Sequence, residues 1–566
     1  MAGLNSGSSK GLALARKKKR ADKLFEKQRL PEAKQAYQEV CQLDPSAHAA
    51  WLNLGAVAAM TGDHQTAEQA WLQALSLHPD LPQAHHNLGK LYSVTGRWDE
   101  AGRHYSACIK SNPHDVQALA SLALLLEGQG RLVDAAQRYR EVLDLQPDHG
   151  PACIGLGRIL CNQGENDEAI HWLDKAVADH PELAMAHFER SQWLRHEARY
   201  RESEHALERF HELAPRERES YFLSRATLYG EQELYDKALE CYDSGLKDYP
   251  RSAQLHWGRA LTLLSLGRYK EGWPEFEWRR AFPDWRRQMV AYADLEPQWH
   301  GESLAGKRLL VYAEQGYGDT LQFCRYLPQL VRQGASVEFH CPDPLVELMR
   351  FNFPDVEVKR QALQERPAPG FDFCLPVMSL AGCLDANLDD AVACVPYLGV
   401  DDWCISEWRD RLNSEGVKVG LVWRGSGRHP LDRRRSIPLH AFAPLLAVQG
   451  VSLFSLQMEA TPEELEQFPA LEDVGGQIGD FTDSAAILAN LDLVITVDTA
   501  LAHLAAAMGR QAWVMTYAGP DWRWSSRHDG RVWYPDIKLF RQVPGESWQP
   551  ALKRLAVELA KYVQTA

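Results

Sequence analysis

Eleven cysteines occur in 566 residues without a single C-x-x-C pair, which removes zinc ribbons and a disulfide framework from consideration. No segment supplies about 18 uninterrupted apolar residues, and the opening "MAGLNSGSSKGLALARKKKR" has no apolar stretch long enough for a signal peptide. Membrane insertion is therefore not expected, and the expected location is the cytoplasm. Positive charge is scarce as well. The formal net charge of −14 opposes duplex nucleic-acid binding, which needs a basic stripe to displace counterions. The one dense basic run, Ala15 to Arg20, reads as the solvated face of a first helix, with an acidic partner or membrane patch as the alternative. A P-loop is excluded, because no G-x-x-x-x-G-K-[ST] occurs. Cys374, Cys383, Cys394 and Cys404 lie loosely together, but strand-borne cysteines read as small buried hydrophobes, and no metal is expected.

What is present is a soluble globular composition, 45% hydrophobic and 24% charged, in a chain too long for one core. Prolines stand at Pro45, Pro79, Pro113, Pro147, Pro181 and Pro215, each 34 residues after the last, and Pro250 follows after 35. Such a period means stacked units. Within one unit recur Trp51, Leu54, Gly55, Gly62, Ala67, Trp71 and Ala74; within the next, Leu88, Gly89, Tyr92, Gly96, Ala101 and Tyr105. Small residues sit where two helices cross closely, aromatics fill the adjoining gaps, and proline ends the second helix. These positions resemble the tetratricopeptide repeat. About eight units run from near Leu14 to near Phe282. The unit with Arg190, Ser191 and Ala198 has lost its glycines, and the one from Tyr221 to Pro250 carries an extra residue. The resemblance implies a superhelix whose concave face takes extended polypeptide, with a spacer or dimerisation stalk as the alternative and a homo-oligomer possible. The repeat histidines and aromatics (His48, His85, His86, His187, His256, Trp193, Trp257) read as packing or groove lining rather than a ligand site.

After Phe282 the pattern changes to short apolar strands alternating with helices. "KRLLVYAE", "SVEFHC", "VEVK" and "FDFCLPV" form one series, and "VKVGLVWRG", "VSLFSLQ", "DLVITVD" and "QAWVMTY" a second. This is parallel α/β architecture. The expected divisions are repeats over 1–282, a connector over 283–305, a Rossmann-like half over 306–400, and a second over 401–566 ending in a closing helix. Ligands of such sheets bind at the carboxyl ends of the strands.

The turn "EQGYGD", Glu314 to Asp319, follows the first strand. A dinucleotide fingerprint would need glycine where Leu321 stands, and an acidic residue ending the second strand, where Asp343 comes late. Both departures disfavour a redox cofactor.

Several stretches together resemble a known family: "GRYKEGWPEFEWR", "PQWHGESLAGKRLLVYAEQGYGDTLQFCRYLP", "VGLVWRGSGRHPLDRRRSIPLHAF", "DFTDSAAILANLDLVITVDTALAHLAAAMG", "PDWRW" and "WYPDIKLFRQ". They look like the bacterial tetratricopeptide-repeat glycosyltransferases, whose catalytic half is similar to heptosyltransferases of the GT-B architecture, two Rossmann-like halves facing a cleft. The overall architecture also looks like that of protein O-glycosyltransferases, including those that modify flagellin. The resemblance implies metal-independent, inverting transfer of a sugar from a nucleotide donor to a protein hydroxyl, with no cofactor. UDP-, ADP- and CMP-linked donors are not distinguishable. The alternatives are a scaffold with an inactive transferase half, or a transferase acting on a lipid or carbohydrate.

The residues fit that chemistry. Asp498 ends a strand, and Thr499 with Ala500 opens a helix whose free amides and dipole favour phosphate. Arg435, with Arg433 and Arg434, can reach the same phosphates with always-charged planar donors. The resemblance implies that Arg435 contacts donor phosphate, that Asp498 lies by the transferred sugar, and that Asp319 is the general base; its other reading is a helix-capping aspartate. Arg424, at the end of "VGLVWRG", is placed on the donor side. His503 either orients donor or acid, or is a core histidine. Gln457 is placed for ribose or base, or as a cap. Asp483 fits a helix cap first and donor contact second. Gln315 and Gln322, with Glu314, match the family motif and shape the loop. Trp522, with Trp524, Trp533 and Tyr534, either stacks on a ligand or packs between the last strand and the final helix.

Overall fold

The computed structural model describes residues 6–384, 394–427, 432–517, 519, 521–525 and 533–565. From Ser6–Glu26 and Leu30–Leu43 to Ala253–Ser265 and Tyr269–Phe276, the described residues form eight helix hairpins. Each hairpin turns through one left-handed residue: Gln28, Gly62, Gly96, Gly130, Gly164, Ala198, Glu233 and Gly267, with φ from 55° to 81°. These positions recur with the proline period, the extra residue included. The three repeats without a turn glycine, at Gln28, Ala198 and Glu233, keep the turn at a backbone cost of roughly 1–2 kcal/mol each. The crossing positions are tight: a Cβ on Gly89 would stand 2.6 Å from the Tyr105 ring.

Three of the repeat histidines have a packing explanation. Six residues after the repeat proline, a side-chain N–H donates to that proline's carbonyl in four repeats: Trp51 to Pro45 (3.0 Å), His85 to Pro79 (2.9 Å), His187 to Pro181 (3.0 Å) and His256 to Pro250 (3.1 Å). The bond ties each inter-repeat turn to the helix that follows it. The basic run Ala15–Arg20 is exposed, with Lys17 paired to Glu39 at 2.9 Å.

The described chain packs as two compact units. Met1–Leu194 with His205–Pro215 form one, around a core that includes Trp71, Leu88, Tyr105, Leu156 and Leu173. Arg195–Glu204 with Arg216–Ala566 form the other, which joins the last two repeats to the α/β region. The repeat pattern ends near Phe282, but packing divides earlier. The reason is one continuous core running from Leu264, Trp273 and Phe276 of the last repeat into Leu309, Val311 and Phe323.

The strands form two parallel sheets. β1 (Arg308–Tyr312), β2 (Ser336–Cys341), β3 (Glu357–Arg360) and β4 (Phe373–Pro376) take the order β3-β2-β1-β4, with Val311 opposite Phe339 and Leu375. β5 (Val417–Val422), β6 (Val451–Ser455), β7 (Leu471–Asp473), β8 (Leu493–Val497), β9 (Ala512–Thr516) and β10 (Ile537–Arg541) take the order β10-β9-β8-β5-β6-β7. In that second sheet the chain reverses direction of build between β5 and β8, the place where such sheets open a ligand crevice. β8 and β9 are buried at every residue, which explains their unbroken apolar runs.

Three details depart from a regular alternation of strand and helix. The segment from Asp319 to Gly334 is three pieces, Tyr317–Phe323, a 3-10 turn Cys324–Tyr326 and Leu327–Arg332, because Pro328 cannot donate within a continuous helix. The segment from Ile437 to Gly450 holds only Leu439–Phe442 and Ala443–Leu446. The strand β7, outside the two series read above, is three residues long with one of them buried.

Candidate functional site

The first sheet delivers Asp319. β1 runs into a turn in which Gln315 takes φ 58°, and Asp319 is the third residue of the helix Tyr317–Phe323. Gly316, not Asp319, occupies the capping position. The Asp319 carboxylate folds back to accept the Gly316 N–H at 3.0 Å through one oxygen, and pairs through the other with the Arg523 guanidinium. The carboxylate thus closes the start of its helix from the third position and also engages Arg523.

Arg523 comes from the other half. Its Nε donates to Gln322 Oε1 at 2.8 Å, its backbone N–H to Asp521 Oδ1 at 2.7 Å, and its guanidinium lies 4.3 Å from the Trp522 ring centroid. Burial alone would depress the Arg523 pKa. Asp319, Asp521 and Asp498 outweigh it and hold the group above its usual value, permanently charged.

The second sheet delivers the remaining groups at the β5/β8 crevice. Asp498 follows β8 and is held between Trp524 Nε1, which donates to its Oδ1 at 2.9 Å, and Arg435, whose Nη1 donates to its backbone carbonyl at 2.9 Å. Asp432 accepts from Arg435 Nε at 2.9 Å, fixing the guanidinium. Burial and the neighbouring Asp521 push the Asp498 pKa up to about 6, against the Trp524 bond and the charges of Arg435 and Arg523. Thr499 Oγ1 sits 3.0 Å from Thr496 Oγ1, leaving the helix Ala500–Ala507 without a side-chain cap. Its first amides are the phosphate-favouring feature that the sequence suggested.

His503 is buried. Its Nδ1 lies 3.0 Å from the Tyr534 hydroxyl, and its ring is 5.3 Å from that of Trp524. Burial, with the charges of Arg523 and Arg325 added, drives its pKa well below the usual value, so it stays neutral. A Cβ on Gly318 would stand 2.8 Å from His503 Cδ2 and 3.6 Å from Ala500 Cα. The "GYGD" glycine is therefore where the helix Tyr317–Phe323 meets the helix Ala500–Ala507 at close range.

The other sequence candidates lie elsewhere. Arg424 pairs with Glu464 and the Glu459 carbonyl. Gln457 Oε1 accepts the Arg424 N–H at 3.1 Å, a strand-end cap. Arg433 is exposed on the helix Asp432–Arg435. Arg434 turns to Glu231 of the penultimate repeat at 3.3 Å, a carboxylate that also pairs with Arg195. Burial and Arg195 push the Arg434 pKa down to about 10. Asp483 accepts from Gly479 N–H at 2.8 Å and Trp408 Nε1 at 3.1 Å, while Asp480 is the capping residue of that helix. Gln322 is fully buried, its Oε1 taken by Arg523 and its Nε2 without a partner. Trp522 packs 5.7 Å from Trp273 and 5.3 Å from Trp533. Its surroundings are the last repeat and the first half, not the final helix, which corrects the expected packing partner. Among the described residues no group of three or more His, Cys, Asp or Glu gathers as metal ligands.

Arg523 escaped sequence reasoning, and so did the partners of Glu314. Arg523 stood inside the noticed "PDWRW" stretch, hidden by its tryptophans. Glu314 is buried and holds a network: Arg279 Nη2 and Nε donate to it at 2.5 and 3.2 Å, and Trp285 Nε1 at 2.6 Å. Their order, Arg279 in "EFEWR" and Glu314 in "YAEQG", shows why two separate stretches of the resemblance belong together.

Comparison with known proteins finds repeat profiles in the first half and one transferase profile in the second. Residues 18–82, 86–150 and 223–277 match one tetratricopeptide repeat profile and residues 126–188 another. Residues 457–516 match the profile "Glycosyltransferase family 9 (heptosyltransferase)". That stretch contains Gln457, Asp483, Asp498, Thr499, Ala500 and His503, but neither Arg435 nor Asp319. Protein FlbA of Caulobacter vibrioides is 29% identical over 338 residues, covering 55% of this chain and 55% of that protein. The chain thus spans about half the length of the curated relative it matches. Among solved structures, MamA is 22% identical over 29% of this chain and 96% of its own, with a TM-score of 0.28. A tetratricopeptide repeat protein of Parabacteroides merdae is 17% identical over 42% of this chain and 93% of its own, with a TM-score of 0.36.

Proposed function

We propose that this chain, which joins tetratricopeptide repeats to a stretch similar to glycosyltransferase family 9, is a protein O-glycosyltransferase. It moves a sugar from a nucleotide donor to a serine or threonine hydroxyl of a polypeptide held by the repeats, flagellin being one such acceptor. The observation that carries this reading is the gathering of Asp498, Arg435 and the uncapped helix start at Thr499 in the β5/β8 crevice, with Asp319 brought in from the first half by Arg523.

The proposed step is a single inverting displacement. Asp319 takes the acceptor hydroxyl proton as that oxygen bonds to the anomeric carbon. The bond from this carbon to the phosphate oxygen breaks, and the nucleotide leaves with the electron pair. Arg435 and the amides of the helix start stabilise the charge gained by the departing phosphate. Asp319 is paired with Arg523, and its action as base depends on close positioning of the acceptor hydroxyl.

Thermal-shift titration with UDP, ADP, GDP, CDP and CMP tests the donor side. One nucleotide is expected to raise the melting temperature, and Arg435→Ala to remove that rise. Stabilisation by none of the five would reject the donor site. With donor and acceptor in hand, Asp319→Asn is expected to keep the nucleotide shift and lose roughly 10²–10⁴-fold in transfer. Full transfer by that variant would remove Asp319 from the base role.

A further inference from the structure

A cavity of about 570 Å³ opens between the last two repeats and the connector, and reaches Gln315. Gln315 lies on the turn that carries Asp319, four residues before it. The volume is that of a ligand site rather than a packing defect. Leu223, Trp257, Leu261 and Phe282 give it an apolar wall.

The polar groups in that wall are mostly spent within the protein. Thr227, Thr262 and Ser265 donate to the carbonyls of Leu223, Gly258 and Leu261 on their own helices, at 2.8 to 2.9 Å. Arg279, the only cation among the described residues lining the cavity, gives all its donors to Glu314, Glu277, Ser379 and the Phe276 carbonyl. Trp285 Nε1 is taken by Glu314, and Asp284 is paired with Arg287. Three side-chain amides remain exposed and make no hydrogen bond: Gln254, Gln288 and Gln315.

An apolar wall with unengaged amides and no available cation has a definite complement. Phosphate and carboxylate ligands find no charge to meet them. An acyl chain would leave the amides unused. A peptide backbone matches each amide with both a donor and an acceptor, while its apolar side chains fill the wall. We infer that this cavity seats an extended, uncharged segment of the acceptor polypeptide, with apolar side chains flanking the hydroxyl that is delivered past Gln315 to Asp319. The acceptor role rests on the transferase reading above; the peptide site itself does not.

The test therefore reads peptide binding and nucleotide binding separately, on the full chain. Fluorescein-labelled nonapeptide pools with a central serine and either Leu/Phe/Ala, Asp/Glu or Lys/Arg flanks are titrated by anisotropy. The apolar pool is expected to bind roughly ten-fold or more tightly than either charged pool. Leu261→Glu, and separately Gln254→Ala/Gln288→Ala, are expected to weaken it about ten-fold with the circular-dichroism melt and any nucleotide shift unchanged. The second variant alters only exposed side chains, so it remains informative if Leu261→Glu does not fold. Equal binding of all pools, no binding of any, unaltered binding by both variants, or uptake of a dansylated fatty acid in place of peptide would each overturn the inference. Loss of the nucleotide shift in the wild type would strike the transferase reading and leave the peptide site standing.

Discussion

Asp498 shows what burial does to a single carboxylate. Its pKa rises to about 6, from an ordinary value near 4, because desolvation and Asp521 together outweigh Arg435, Arg523 and the Trp524 bond. The native chain therefore holds a proton between about pH 4 and pH 6 that the unfolded chain has released. Stability from this group is present below about pH 4 and falls as pH rises through the window, by roughly 1–3 kcal/mol. Asp498→Asn keeps an oxygen for Trp524 but cannot titrate. In urea melts, the wild type is expected to lose that amount relative to the variant between pH 4 and pH 7; parallel stabilities across the range would show that Asp498 is not held protonated. Asp498, Thr499 and Arg435 were legible as residues because strand ends and helix starts have sequence signatures. The Arg523 pairing was not, since no local pattern tells which far residue an arginine will meet.

At the scale of elements, the decisive contact joins the helices Tyr317–Phe323 and Ala500–Ala507. Gly318 makes it possible, because any side chain there meets His503, which is buried and tied to Tyr534. Gly318→Val is expected to cost about 1–3 kcal/mol by overpacking, read as a lower denaturant midpoint. Nucleotide stabilisation, if carried by the helix start at Thr499, persists in that variant at saturating ligand. A folded Gly318→Val with unchanged midpoint would mean that the two helices part without cost. The repeat period was legible, because most hairpin turns leave a glycine, and the turns between repeats a proline, at a spacing of 34 residues. The broken helix after Asp319 was less so: Pro328 marked it, but the apolar pattern continued across the break.

For the whole molecule, the last repeats are part of the α/β unit and not only its neighbour. Glu314, two residues beyond the end of β1, is a buried carboxylate, and its partners Arg279 and Trp285 belong to the end of the array and the connector. Burial works against the Arg279 charge, yet Glu277 and Glu314 hold its pKa above the usual value. Breaking such a pair from one side leaves an uncompensated charge. Arg279→Met is expected to destabilise by roughly 3–5 kcal/mol, with part of this recovered in Arg279→Met/Glu314→Gln. By the same reasoning a fragment of residues 283–566 lacks the cation and should show no native near-ultraviolet circular dichroism. A cooperatively melting fragment would refute this assignment of the boundary.

The sequence by itself determined the repeat period, the two series of strands and the residue types at their ends, because each is a local pattern repeated at fixed spacing. Only the tertiary structure decided where the repeats stop being independent, which arginine meets Asp319, and that the "GYGD" glycine serves a helix contact. Those facts depend on pairs of groups separated by 35 to 204 residues, whose meeting is set by the packing of sheets and helices and leaves no periodic trace along the chain.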